Sequence, residues 1–103
     1  MLVAIIMTEI QTNSWIFLAI AIASQKEPID IKGISQIADG INHAVPTQKE
    51  LKSSIGWLVS HGYIKEQNSK YALTKKGMID YNFASLNTNI LLNIRRNLER
   101  QLK

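Results

Sequence analysis

The alternation of apolar and polar residues along the chain predicts five helices and one short β-hairpin. The first helix is expected after Asn13 and Ser14, either of which can accept hydrogen bonds from the free amides at a helix start. Nine consecutive apolar residues follow, from Trp15 to Ala23. A helix that is apolar on every side must be covered on every side. In a chain of 103 residues, this run predicts that a second protomer provides part of the cover.

The second predicted helix is amphipathic. Ile29 and Ile31 flank Asp30 in the alternation of a very short strand, and the segment ISQIADGINHA follows. Its apolar residues recur at i, i+3, i+4 and i+7, which is the spacing of one helix face. These residues are Ile34, Ile37, Ala38 and Ile41.

The third helix is predicted to begin at Thr47. Pro46 disfavours a helical conformation in the residue before it, and Thr47 forms a capping box with Glu50 three residues later. Gly62 ends the helix, because glycine readily adopts the left-handed conformation found after helix ends. The apolar stripe of this helix consists of Leu51, Ile55, Leu58 and Val59.

A hairpin and two more helices complete the pattern. The segments YIKE and KYALT flank a polar turn at residues 67 to 69, and Tyr63 and Tyr71 are expected to pack beneath the hairpin. Thr74 caps a fourth helix, KKGMIDYNFASL, whose core contacts are expected from Met78, Ile79 and Phe83. The last helix, about residues 89 to 102, has one apolar stripe. This stripe is formed by Ile90, Leu91, Ile94, Leu98 and Leu102.

Charge is distributed unevenly along the chain. The net charge is +4, and residues 47 to 76 hold six basic and two acidic side chains, whereas residues 1 to 46 hold two basic and four acidic ones. A basic region on one part of a domain is typical of a nucleic-acid surface, although excess lysine also promotes solubility. The middle of the chain is therefore the expected binding surface.

Several other classes of protein are not expected. The longest apolar run has nine residues, far fewer than the ~20 that span a bilayer, so no membrane partner is predicted. The absence of cysteine excludes disulfides and thiolate chemistry and fits a reducing, cytoplasmic location. Neither a phosphate-binding glycine motif nor a nucleophile motif is present, so we expect neither an enzyme nor a cofactor.

Asp39 and His43 are the only pair that suggests a metal. They are four residues apart on the second helix and could pair with each other or share an ion. Two ligands make a poor metal site, and a histidine that caps a helix or is solvated is the simpler alternative. We therefore predict no metal site.

The order of these elements resembles the winged helix-turn-helix superfamily, in particular MarR-like and PadR-like bacterial transcriptional regulators. ISQIADGI is similar to the supporting helix, TQKELKSSIGWLVSHGYI to the recognition helix, and KYALTKKG to the second wing strand and the signature that follows it. The resemblance implies a mostly α fold with a small β-hairpin, a winged helix-turn-helix with flanking dimerisation helices. The expected divisions are an N-terminal segment at residues 1 to 14, a winged-helix domain at 15 to 84 and a C-terminal dimerisation helix at 85 to 103.

The resemblance implies a DNA-binding transcriptional regulator whose partner is double-stranded DNA. The recognition helix, about residues 47 to 61, would enter the major groove, where base edges are read by the helix face opposite the core. That face and its flank contain Gln48, Lys49, Lys52 and Ser53. The wing lysines would neutralise phosphates. They are Lys65, Lys70, Lys75 and Lys76.

A homodimer is expected as well. The resemblance also allows a small-molecule effector, but no cluster of polar residues in the sequence indicates which ligand it would be. Besides the helix at residues 15 to 23, the predicted dimer contacts are the apolar stripe of the last helix, Ile90 to Leu102. A two-fold dimer would place two recognition helices about one duplex turn apart.

The alternative function is a winged-helix module that binds another protein. Gly56 in the middle of the third helix lets another backbone come close, and a mid-helix glycine costs about 0.8 to 1 kcal/mol relative to alanine. Trp57 beside it is a residue type common at the centres of protein interfaces. It could equally pack down onto its own domain.

Overall fold

The computed structural model describes residues 7 to 102, and that part of the chain forms five helices and a small two-stranded sheet. The expected fold class, mostly α with a small β-hairpin, is confirmed. Residues 1 to 6 of the expected N-terminal segment, and residue 103, lie outside the described residues. The elements are α1 (Glu9–Ala23), α2 (Ile31–Asn42), α3 (Gln48–Ser60), β1 (Ile64–Gln67), β2 (Lys70–Leu73), α4 (Lys75–Ala84) and α5 (Leu91–Gln101).

Helix α1 begins six residues before the expected Trp15. Thr8 caps it: the Thr8 hydroxyl accepts from the Gln11 amide at 3.1 Å, and the Gln11 side chain accepts from the Thr8 amide at 2.9 Å. This reciprocal capping box satisfies two amides that would otherwise lack partners. Asn13 and Ser14, the expected caps, are buried inside the helix. The expected boundary at residue 15 therefore falls within α1.

The chain itself covers the apolar run of α1. Residues 15 to 21 are buried where α1 packs against α2, α3 and α5. The indole Nε1 of Trp15 donates to the Ala38 carbonyl oxygen at 2.9 Å, which satisfies a polar group in the core. The expectation that a second protomer must cover this helix is wrong, because three helices of the same chain do so. Between residues 7 and 102, none of the helices combines the length and the apolar character that a membrane span requires.

Helix α2 begins at Ile31, where the Asp30 side chain accepts from the Gly33 amide. The short strand expected at residues 29 to 31 is a single bridge instead. In it the Ile29 and Tyr71 amides each donate to the other residue's carbonyl oxygen, at 2.8 and 2.7 Å. The bridge places residue 29 beside β2.

Helix α3 follows the expected pattern closely. Thr47 and Glu50 form the predicted capping box, with hydrogen bonds of 3.0 and 2.9 Å, and Gly62 after the helix has a φ of 78°. Leu51, Ile55 and Leu58 are buried. The fourth predicted stripe residue, Val59, is 40% exposed, because no other element covers that flank at the end of the helix.

The hairpin closes through Asn68 and Ser69, both with positive φ, as two-residue turns between twisted strands require. Pairing runs from Ile64 with Leu73 to Gln67 with Lys70. The two tyrosines pack beneath the hairpin as expected: Tyr63 is 3% and Tyr71 7% exposed.

Helix α4 turns its smallest side chains inwards. Thr74 caps the helix as predicted, but Gly77 and Ala84 are its buried residues. The expected core contacts Met78, Ile79 and Phe83 are exposed, Phe83 by 70%, so that prediction is wrong. At Gly77 the helix lies so close to the Tyr63 carbonyl that no side chain fits, and the large α4 side chain that packs against the core is Tyr81.

Helix α5 runs antiparallel to α4, since the Asn97 side chain donates to the Ala84 carbonyl and the Gln101 side chain to the Asp80 carbonyl. The expected dimer contacts Ile94, Leu98 and Leu102 are buried within the same chain, where α5 packs on α1. This is a correction, because these three side chains have no surface left for a partner. The remaining two, Ile90 and Leu91, are 58% and 39% exposed.

Candidate nucleic-acid interface

The four residues predicted to read DNA lie in the first half of α3, next to its capped end. All four are exposed: Gln48, Lys49, Lys52 and Ser53. The one acid in this part of α3, Glu50, accepts from the Thr47 amide. Its carboxylate is thereby held at the helix start, where the helix dipole favours negative charge.

Gly56 lies on the same face, one turn after Lys52 and Ser53. A Cβ added to Gly56 would meet no atom within 4 Å, so no neighbouring part of the chain packs against this position. Other glycines differ in this respect, because a Cβ on Gly33 or Gly77 would clash with nearby atoms. The helix-propensity cost of Gly56 is therefore not offset by packing within the chain.

The strand register gives the hairpin a basic face. Side chains alternate across a strand, and directly paired residues share a face. The pairs Gln67–Lys70 and Lys65–Ala72 therefore place Lys65 and Lys70 on one face. Glu66 pairs with the buried Tyr71 on the other face. The acid of the hairpin thus points away from its two lysines.

Tyr71 is the titratable group most affected by this arrangement. Burial raises the pKa of the Tyr71 hydroxyl above its ordinary value of 10.0, and the nearby Glu66 carboxylate raises that pKa further. Both causes disfavour the tyrosinate anion. Tyr71 therefore remains neutral and structural at physiological pH.

Lys75 and Lys76, at the start of α4, are exposed, but only Lys76 has a visible role within the chain. Its Nζ donates to the His61 carbonyl oxygen at 3.1 Å and lies 4.4 Å from the centre of the Tyr63 ring. A cation near the last carbonyls of α3 and over an aromatic face is favourable in both contacts. Lys76 thus joins the hairpin-to-α4 segment to the end of α3.

No lysine of this surface is paired with an acid. Across residues 7 to 102, the Arg95–Glu99 contact at 2.8 Å is the only ion pair. The lysines at positions 49, 52, 65, 70, 75 and 76 therefore have no carboxylate within 4.0 Å. Unpaired basic side chains of this kind attract a polyanion.

Trp57, predicted as a contact for a partner, is half-buried and has neighbours of its own. The His61 ring stacks on it with a centroid distance of 4.0 Å, and the Tyr63 ring lies nearly parallel at 5.9 Å. His61 Nδ1 is also 2.8 Å from the Trp57 carbonyl oxygen. Much of the Trp57 surface is therefore used to join α3 to β1.

A groove that sequence reasoning missed lies between the start of α1 and α3. It has a volume of about 260 Å³, and Asn13 on one wall faces Lys49 and Trp57 on the other. The two walls are far apart in sequence, and no motif marks them, so no local signal could have predicted it. Because Lys49 and Ser53 line it, the groove adjoins the predicted base-reading face.

The predicted absence of a metal site concerns Asp39 and His43. His43 ends α2 in the left-handed conformation and donates its amide to the Asp39 carbonyl, so the two residues meet through the backbone. In the described part of the chain, no group of three or more histidine and acidic side chains is arranged to hold a metal ion.

Comparisons of the chain with protein families, with curated proteins and with solved structures find no match. What the lysine-rich surface binds must therefore be inferred from its own side chains.

Proposed function

We propose that this chain is a winged helix-turn-helix protein that binds duplex DNA and regulates transcription, with α3 as the recognition helix. The order of elements supports the proposal: two helices are followed by a third with a free face, and then by a hairpin that would serve as the wing. The Ile29 bridge to β2 supports it further, because a third extended segment beside the hairpin suits such a domain.

The observation that carries the proposal is the combination of unpaired lysines with an unpacked glycine on one helix face. Gly56 would let a DNA backbone approach α3 closely, at a position where nothing in the chain needs a glycine. Lys49 and Lys52 would contact phosphates or guanine, and Gln48 is suited to adenine. Ser53 can accept or donate and would contact either.

The wing and the start of α4 would supply sequence-independent affinity. Lys65 and Lys70 share the basic face of the hairpin, and Lys75 and Lys76 follow it. Each phosphate contact releases condensed counterions and makes binding salt-dependent. Six lysine contacts in one protomer correspond to a slope of roughly −5 for log K against log salt, at ~0.9 per contact.

The test is fluorescence anisotropy of a random-sequence duplex titrated with the protein at several salt concentrations. We expect binding at low salt that weakens steeply as salt increases, and strong loss of binding for Lys49→Glu combined with Lys52→Glu. Lys26→Glu with Arg96→Glu is the matched control, because both side chains are exposed and belong to neither α3 nor the wing. It makes the same change in net charge.

The comparison of the two double variants decides the proposal. Equal losses in both would show only an effect of net charge and would reject α3 as the binding helix. No measurable binding by the wild type at low salt would reject DNA as the partner.

A protein partner for the same face is the second candidate, and Val59 favours it. Val59 is 40% exposed and lies three residues after Gly56, so an apolar side chain borders the unpacked surface at Gly56. In this case, Val59→Ser should release a copurifying protein and leave duplex affinity unchanged. If no protein copurifies with the wild type, this alternative is rejected.

A further inference from the structure

Several of the large apolar side chains exposed by this fold lie at one end of the α4–α5 pair. We call them the end patch, and each is between 39% and 71% exposed. The end patch consists of Phe83, Leu86, Ile90, Leu91 and Leu92. Monomeric proteins rarely expose contiguous apolar surface of this kind unless it binds something.

The antiparallel packing of α4 and α5 brings these residues to the same end of the pair. Helices α4 and α5 are antiparallel, with Ala84 beside Asn97 and Asp80 beside Gln101. The closed end of the pair is therefore the connection at residues 85 to 90, and four of the five side chains lie on it or in the first turn of α5, with Phe83 just before it. Leu91 is one turn before the buried Ile94 on the same face of α5. The apolar face of α5 therefore extends from the core into the end patch.

The composition of this region indicates what can cover the patch. Residues 81 to 94 contain no charged side chain. The polar residues around the apolar ones are amides and hydroxyls, which can both donate and accept. They are Asn82, Ser85, Asn87, Thr88, Asn89 and Asn93.

We infer that the end patch is the contact surface between two copies of this chain. In a two-fold interface each patch faces itself, so any charge in it would meet a like charge nearby. An uncharged patch with an amide rim avoids that repulsion and can pair its own donors with its own acceptors. An anionic membrane surface would instead require lysine or arginine beside the apolar residues, and residues 81 to 94 have none.

The exposed area is sufficient for a weak dimer. With about 100 Å² for each half-exposed large side chain, the five offer roughly 500 Å², compared with ~800 Å² per partner in a stable interface. Interfaces below the standard size are typical of weak association, so a dimer should form at the higher protein concentrations.

This dimer would leave α3 free. The far end of α5 lies near α3, because Leu102 and Trp57 line the same cavity together with Ile10. The end patch is at the other end of α5, about 16 Å away at 1.5 Å per helical residue. The inference does not rest on DNA binding, and its test does not involve DNA.

The test is sedimentation equilibrium of the full chain over a range of concentrations up to roughly 0.5 mM, which spans the micromolar range. We expect the wild-type mass to rise from 11.6 kDa towards twice that value. Phe83→Glu and Leu86→Glu should each raise the dissociation constant by at least ~30-fold, as loss of a central interface residue does. Circular dichroism of each variant would confirm that it is folded.

The matched control is Ile10→Glu, because Ile10 is also apolar and 51% exposed but lies at the opposite end of α5. It should dimerise as the wild type does. A wild-type mass that stays at 11.6 kDa, or a dimer weakened equally by Ile10→Glu and Phe83→Glu, would overturn the inference.

Single cysteines provide a second measurement that tolerates an unstable variant. The sequence contains no cysteine, so an introduced thiol can form only an intermolecular disulfide. At least one of Phe83→Cys, Leu86→Cys and Ile90→Cys should give a covalent dimer on mild oxidation, whereas Ile10→Cys should not. Absence of covalent dimer in all three would also overturn the inference.

Discussion

Gly77 in the first turn of α4 lies directly against the carbonyl oxygen of Tyr63. A Cβ on Gly77 would overlap that oxygen, and Gly77 is buried. The same carbonyl accepts from the Thr74 amide at 3.1 Å, and the Thr74 hydroxyl donates to the Gly62 carbonyl. The end of α3 and the start of α4 are therefore held together by backbone contact.

Gly77→Ala should destabilise the protein by about 1 to 3 kcal/mol, because the added methyl group would have to move a backbone carbonyl rather than a flexible side chain. Urea unfolding measured by circular dichroism would give the change in free energy. An unchanged midpoint would show that α4 does not rest on Tyr63 in solution.

Gly56→Ala should have the opposite effect on stability. Its Cβ would meet nothing within the chain, so we expect stabilisation by about 0.8 to 1 kcal/mol. If α3 enters the major groove, the same methyl group should weaken duplex binding by about 1 kcal/mol, or roughly fivefold. Unfolding and anisotropy titrations on one preparation would measure both.

Gly40→Ala is the control for that pair of effects. Gly40 is exposed within α2, and its added Cβ would likewise meet no atom within 4 Å. It should also stabilise the protein, by somewhat less because it lies near the helix end, and leave duplex affinity unchanged. A loss of affinity in both variants would mean that Gly56 does not mark a contact surface.

Leu98→Ala tests whether α5 belongs to the core of the chain. Leu98 is fully buried, and truncation of a buried leucine costs about 2 to 5 kcal/mol. Leu92→Ala, at a position 46% exposed, should cost less than about 0.5 kcal/mol. If both variants change the free energy of unfolding by the same small amount at low protein concentration, Leu98 lies outside the core and is again a candidate dimer contact.

Stability should fall at alkaline pH through Tyr71. Its pKa is raised in the folded protein, so the unfolded chain loses this proton first, near pH 10.0, and deprotonation favours unfolding. The contribution is fully present below that pH and is lost as pH rises through the folded pKa. Tyr71→Phe removes it.

The measurement is the difference in free energy of unfolding between wild type and Tyr71→Phe, followed across alkaline pH, because titrations common to both proteins cancel in that difference. This difference should be constant below about pH 9. Above that pH the wild type should lose stability relative to Tyr71→Phe. A difference that stays constant up to pH 11 would mean that Tyr71 titrates alike in both states.

The sequence by itself determined where most elements begin and end. The capping box at Thr47 and Glu50, the cap at Thr74 and the end of α3 before Gly62 were all predicted correctly. These signals depend on hydrogen bonds and φ angles within a few residues, so they are readable locally. Thr8 and Gln11 form the same kind of capping box and set the start of α1, although the longest apolar run begins only at Trp15.

Only the tertiary structure decided which apolar surfaces are covered and by what. Residues 15 to 21 and the α5 residues Ile94, Leu98 and Leu102 were expected to contact a second protomer, yet they are buried within one chain, where α1 packs on α5. Phe83 was expected inside and is 70% exposed, whereas the buried residues of α4 are Gly77 and Ala84. Periodicity shows that a helix has an apolar face, but burial depends on how closely distant backbones approach, and that distance is a property of the folded chain.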